Sequence, residues 1–93
     1  MYRINQIAFT SIEKKRGVNF SSAFVSFILD DLIHINSLEV KKFDSPNEYE
    51  LLYPACDYHD QKIPCFIPIN KEFENYLKQE IFRAYEAFLK SRS

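Results

Sequence analysis

Apolar and polar positions alternate most cleanly between Ala23 and Val40, where the chain reads AFVSFILDDLIHINSLEV. In an extended strand Ala23, Val25, Phe27 and Leu29 fall on one side, and Phe24, Ser26 and Ile28 on the other. Val, Ile and Phe suit a pleated surface. The acidic pair Asp30-Asp31 is too polar for the interior and reads as a turn. Beyond it Ile33 and Ile35 restore the alternation, and then Leu38 and Val40 take over one position out of step. A one-residue slip turns side chains to the wrong face, so a β-bulge is expected near Asn36-Ser37. The stretch therefore predicts a hairpin with an acidic turn, its two strands near the middle of a sheet.

The same reading places a first strand over Tyr2 to Thr10, with a bulge where the beat shifts at Asn5-Gln6. Glu13 to Gly17 is a loop holding the only glycine. Lys41 to Pro46 is polar and closes the hairpin. Tyr49 to Tyr53 is a short fourth strand, ended by Pro54, which has no N–H for a ladder. Ala55 to Lys62 reads as a polar loop. Ile63 to Ile69, with Pro64 and Pro68, reads as an extended edge or connector.

After Asn70 the period changes. Asn70 is a good N-cap, and Glu72 and Glu74 suit the positive end of a helix dipole. Phe73, Leu77, Ile81, Ala84 and Phe88 recur at helical spacing, and the helix is expected to run to about Lys90. Glu74–Lys78 and Glu86–Lys90 are favourable i,i+4 pairs. Phe82, Tyr85 and Leu89 widen the apolar face, which asks for a second partner or a wrap-around contact. The predicted architecture is α+β: a four-stranded antiparallel sheet, in roughly chain order, with one long C-terminal helix packed on it.

Composition narrows the class. Ninety-three residues with 46% apolar content suit one folded domain, residues 1–93. A chain of this size buries a limited share of its surface, and nine Phe and six Tyr need somewhere to go. Exposed strand edges and surplus rings together predict a homodimer. The net charge of −1 counts against strong non-specific phosphate binding. Two cysteines without a CxxC spacing make no disulfide framework and point to a reducing cytoplasm. The N-terminal stretch has no apolar run of signal-peptide or membrane-spanning kind.

Candidate chemistry is sparse. Lys14, Lys15, Arg16, Lys41, Lys42 and Lys62 form a phosphate-binding patch if their loops meet, against the plainer reading of solvated charge. Tyr49, Tyr53 and Tyr58 are ring surfaces for unpaired bases, or else core and interface rings. Cys56, His59 and Cys65 include proper zinc ligands, but the set is incomplete, and no metal or other cofactor is expected. Asp30 and Asp31 would face opposite ways on a strand, and no nucleophile is fixed near His34. Enzyme activity and a small-molecule substrate are therefore not expected.

Several short strings, taken in order, resemble the SpoVG family, the stage V sporulation protein G septation regulators. They are Ser26-Phe27-Ile28-Leu29-Asp30 at one strand end and Leu38-Glu39-Val40 at the next. Tyr53-Pro54, Ile67-Pro68-Ile69-Asn70 before the helix, and Ala84-Tyr85 within it complete the set. The resemblance covers nearly the whole chain. It implies a dimer of antiparallel sheets with C-terminal helices, and a cytoplasmic regulator that binds DNA or RNA. Where the family carries a basic loop after its strand-end proline, this chain reads Ala55-Cys56-Asp57, so no residue there carries over. Nucleic-acid binding through the six basic residues is accordingly expected to be weak and salt-sensitive. A protein-interaction module on the same scaffold is the alternative function.

Overall fold

A computed structural model describes residues 2–92. Strands β1 (Ile4–Ile12), β2 (Phe20–Leu29), β3 (Ile33–Phe43) and β4 (Tyr49–Leu52) form one antiparallel sheet in chain order. Strands β5 (Ala55–Tyr58) and β6 (Gln61–Pro64) pair as a separate two-stranded sheet, and helix α1 spans Lys71–Arg92. This is the expected α+β architecture, with the two central strands drawn from the alternating stretch.

The alternation is realised as burial. Ala23, Val25, Phe27, Leu38 and Val40 are each at most 1% exposed, on the face that meets the helix. Leu77 and Ile81 meet them from α1, as does Tyr85, which takes the buried place assigned to Ala84; Ala84 is half-buried. Both bulges are present. The β1–β2 ladder shifts between Asn5 and Ala8, where Gln6 has φ of 51°. The β2–β3 ladder shifts between Val25 and Phe27, opposite the extra residue around Ser37, whose φ is 71°. The slip keeps Ile35 and Leu38 on the same face, which an unbroken ladder would not do.

Asp30 and Asp31 form the β2–β3 turn with φ of 51° and 58°. Positive φ at both central positions matches the right-handed strand twist, and aspartate tolerates it better than most residues. Arg3 ties this turn to β1. Its amide donates to Asp30 Oδ1 at 2.8 Å, and its guanidinium pairs with Asp31.

The segment 55–62 departs from the expected loop. It folds into the β5–β6 hairpin, in which Ala55 faces Pro64 and Tyr58 faces Gln61. The turn residues His59 and Asp60 have φ of 50° and 64°, repeating the Asp30-Asp31 geometry. Every residue of the two strands is exposed, so no buried face left a period-two signal.

The helix starts where the cap predicts. Asn70 Oδ1 accepts the Phe73 N–H at 2.8 Å, and Asn70 O accepts the Glu74 N–H at 3.0 Å. Asn70→Ala is expected to cost about 1 kcal/mol in urea denaturation, because it removes that acceptor; an unmoved midpoint would place the start of the helix elsewhere. The broad apolar face of α1 is used within the chain. Phe88 and Tyr85 lie 5.1 and 5.3 Å from the Phe9 ring on β1, and Phe82 stacks on Tyr49 of β4 at 5.1 Å. The wider stripe is thus the wrap-around contact, one flank on each edge of the sheet.

Candidate interaction surfaces

The outer face of the four-stranded sheet carries no helix. Thr10, Phe24 and Glu39 stand side by side across β1, β2 and β3 on that face, and Phe24 is 50% exposed. Its burial is the opposite of that of Val25, its neighbour in sequence, as strand parity requires. A shallow hollow beside it is lined by Ala8, Thr10, Ser26, His34 and Asn36.

The six basic residues are divided among several places. Lys14, Lys15 and Arg16 lie in the exposed β1–β2 loop, and Lys14 pairs with Asp44 at 2.9 Å. Lys41 faces outward with its Nζ 4.6 Å from the centre of the Phe20 ring. Lys42, next along β3, points to the helix side, where its Nζ lies 5.8 Å from the Tyr49 ring. Adjacent strand residues face opposite ways, so Lys41 and Lys42 do not share a surface. Lys62 belongs to the separate hairpin and pairs with Asp57 at 2.7 Å. Lys41 shares the outer face with the exposed Phe24, and Lys14 and Lys15 line a hollow on that side with Phe20, Ser22 and Glu39.

The three tyrosines also separate. Tyr49 is stacked on the helix. Tyr53 packs edge-on against Phe66, with ring centres 6.2 Å apart, and its buried hydroxyl has no hydrogen-bond partner. Burial, and secondarily the charge of Glu74, pushes the Tyr53 phenol up to about 12. Tyr58 is 60% exposed, edge-on to His59 at the hairpin tip. It is the member of the set that solvent reaches readily.

A further exposed apolar surface has no periodic mark in the sequence. It lies between the β2–β3 turn and the start of α1. Leu32 is 83% exposed, Ile33 55%, Ile67 56% and Ile69 96%. Beside them runs a groove of about 330 Å³ walled by Leu29, Ile33 and Ile35 from the sheet, Phe66 and Ile67 from the connector, and Phe73 from the helix. The two prolines, Pro64 and Pro68, keep the connector extended, with Ile67 at the groove and Ile69 almost fully exposed.

Among the described residues, no group of three or more His, Cys, Asp or Glu side chains is gathered to hold a metal ion, and no helix is long and apolar enough to cross a membrane. The acidic turn carboxylates are engaged by Arg3 and by the Asn5 amide, which donates to Asp31 Oδ1 at 3.0 Å. In comparisons with protein-family models, curated proteins and solved structures, the chain matches none.

Proposed function

We propose that this chain is a protein-association module that acts as a homodimer, joined through the apolar surface around Leu32, Ile33, Ile67 and Ile69. The observation that carries the reading is that Ile33 and Ile67, each more than half exposed, line the apolar groove, with the exposed Leu32 and Ile69 one and two positions from them along the chain. Scattered apolar residues are ordinary on a monomer, but a contiguous apolar patch beside a groove is the usual mark of an interface. A second copy offers the matching chemistry, since Leu32 or Ile69 of one subunit fits the groove of the other in a two-fold arrangement. The paired state of Lys14 and Lys62, and the net charge, favour this over a phosphate-binding role.

Light scattering at micromolar concentration is expected to give a dimer mass for the wild type. The double variant Ile33→Lys, Ile67→Lys is expected to give a monomer mass with its helix content kept, because both side chains are already more than half exposed. A wild-type monomer, or a dimer untouched by the double variant, would overturn the assignment.

One observation supports the nucleic-acid reading as a second possibility: Phe24 stands exposed on an open sheet face that also carries Lys41, an arrangement on which a base can stack. In that case binding belongs to low salt and falls by a slope of about −0.9 per phosphate neutralised on duplex DNA. A salt series with single- and double-stranded probes, comparing wild type with the Lys14, Lys15, Arg16 triple-alanine variant, reads it directly. Silence at low salt removes this possibility, and tight binding indifferent to the triple variant puts the contact on another surface.

A further inference from the structure

The β5–β6 hairpin carries a pair of groups that neither the association surface nor the open sheet face uses. Cys56 faces Ile63 across the ladder, and Cys65 lies two residues beyond Ile63, so both thiols project from one face of the hairpin. Their Sγ atoms are 2.7 Å apart. Both cysteines are exposed to solvent. The backbone holds this approach, because the Cys65 N–H donates to Pro54 O at 2.9 Å and closes the base of the hairpin. At the other end the His59-Asp60 turn fixes the register. The hairpin pairs only within itself, through four residues on each strand. A two-stranded ribbon of this kind is marginal in water.

We propose that Cys56 and Cys65 are a reversible dithiol–disulfide site, whose reaction partner is a low-molecular-weight disulfide of the glutathione kind. One thiol gives its proton to water, and its thiolate attacks a sulfur of the small disulfide. The sulfur–sulfur bond of the small molecule breaks, one small thiolate leaves, and a mixed disulfide remains on the protein. The second cysteine loses its proton and attacks the protein sulfur of that mixed disulfide, displacing the second small thiolate. Two protein thiols are thereby oxidised to one disulfide, and the small disulfide is reduced to two thiols. A sulfur–sulfur bond is about 2.0 Å long, so closure asks for less than 1 Å of movement between the two Sγ atoms. Solvent exposure gives the small disulfide access to either sulfur, and the neighbouring thiol stands ready to resolve the adduct. The hydrogen bond with Cys56 raises the Cys65 thiol above its ordinary range, with burial and the charge of Cys56 adding to it. Oxidised, the ribbon is pinned at its base as well as its turn; reduced, it depends on its ladder alone.

The test is oxidation of the full chain in buffers of defined reduced-to-oxidised glutathione ratio. Acid quenching, alkylation under denaturing conditions and intact-mass measurement then report the thiols. The wild type is expected to lose both alkylation sites together, as a single chain lighter by two hydrogens, with Cys56 and Cys65 in one linked peptide. The folded hairpin should reach half-oxidation at a value of [GSH]²/[GSSG] at least about tenfold higher than the urea-unfolded chain, since the fold brings the sulfurs together in advance. Cys56→Ser and Cys65→Ser should each stop at one glutathione adduct, having no second thiol to resolve it. Equal midpoints for folded and unfolded chains, two stable glutathione adducts on the wild type, a disulfide between chains, or single-cysteine variants that take up no glutathione would each overturn the proposal.

Discussion

Phe27→Ala is expected to destabilise the domain by about 3–5 kcal/mol, a large part of what a chain of this size has to lose. Phe27 is 1% exposed and sits on β2 opposite Ile35, just past the bulge that brings Leu38 and Val40 onto the same face. It also forms part of the floor of the apolar groove beneath the start of α1, with Leu77. Truncation there joins a new cavity to an existing opening. The lost contacts on both the sheet and the helix side have no neighbour placed to replace them. Urea denaturation should show a lower midpoint with an unchanged slope. The control is three residues away: Phe24→Ala removes the same ring from the opposite face, where it is half exposed, and should fall within about 1 kcal/mol of wild type. A loss below about 1 kcal/mol at Phe27, or a larger loss at Phe24, would mean that the inner and outer faces have been exchanged.

The parity that separates these two phenylalanines was readable in the sequence because one face of the sheet is buried and the other is not. The same reasoning located both bulges, since a strand cannot keep Ile35 and Leu38 on one face without an extra residue. It failed at 55–62 for the converse reason. A hairpin exposed on both faces has no hydrophobic alternation to mark its strands. What remained legible was turn chemistry: His59-Asp60 and Asp30-Asp31 both pair residues that tolerate positive φ, in a chain with a single glycine. Reading the second pair as the first was read would have given the hairpin, and with it the approach of Cys56 to Cys65.

The interaction surfaces were legible only in part. That Lys41 and Lys42 diverge follows from strand parity alone. That Lys14 meets Asp44 does not, because the two residues are thirty positions apart and are joined only through the sheet. The surplus of Phe and Tyr rings pointed to a homodimer interface, but the exposed apolar residues Leu32, Ile67 and Ile69 are aliphatic and were not singled out by it. The helix spends its width on Phe9 and Tyr49, at the two edges of the sheet. The unspent apolar side chains lie instead in a turn and a proline-bounded connector, where no periodic pattern marks them.

Tyr85, which the spacing places on the widened flank of the apolar face, is the residue that dominates it. Spacing favoured Ala84, yet Tyr85 is the 1%-exposed member, with its ring against Phe9 and Phe88 and its hydroxyl 3.3 Å from Ser21 Oγ on β2. The ring and the hydroxyl make separable contributions. Tyr85→Phe keeps the packing and deletes one hydrogen bond between neutral groups, for an expected cost of about 1 kcal/mol. Tyr85→Ala removes the ring as well and leaves a cavity between α1 and the first two strands, for an expected cost of about 3–5 kcal/mol. The geometry also fixes the partner. If Ser21 is what the hydroxyl meets, Ser21→Ala should cost little once Tyr85 is already Phe, and the two single costs should not add. Urea midpoints for the four proteins close this cycle. Additive costs for Tyr85→Phe and Ser21→Ala would separate the hydroxyl from Ser21. An alanine variant no less stable than the phenylalanine one would remove Tyr85 from the core altogether.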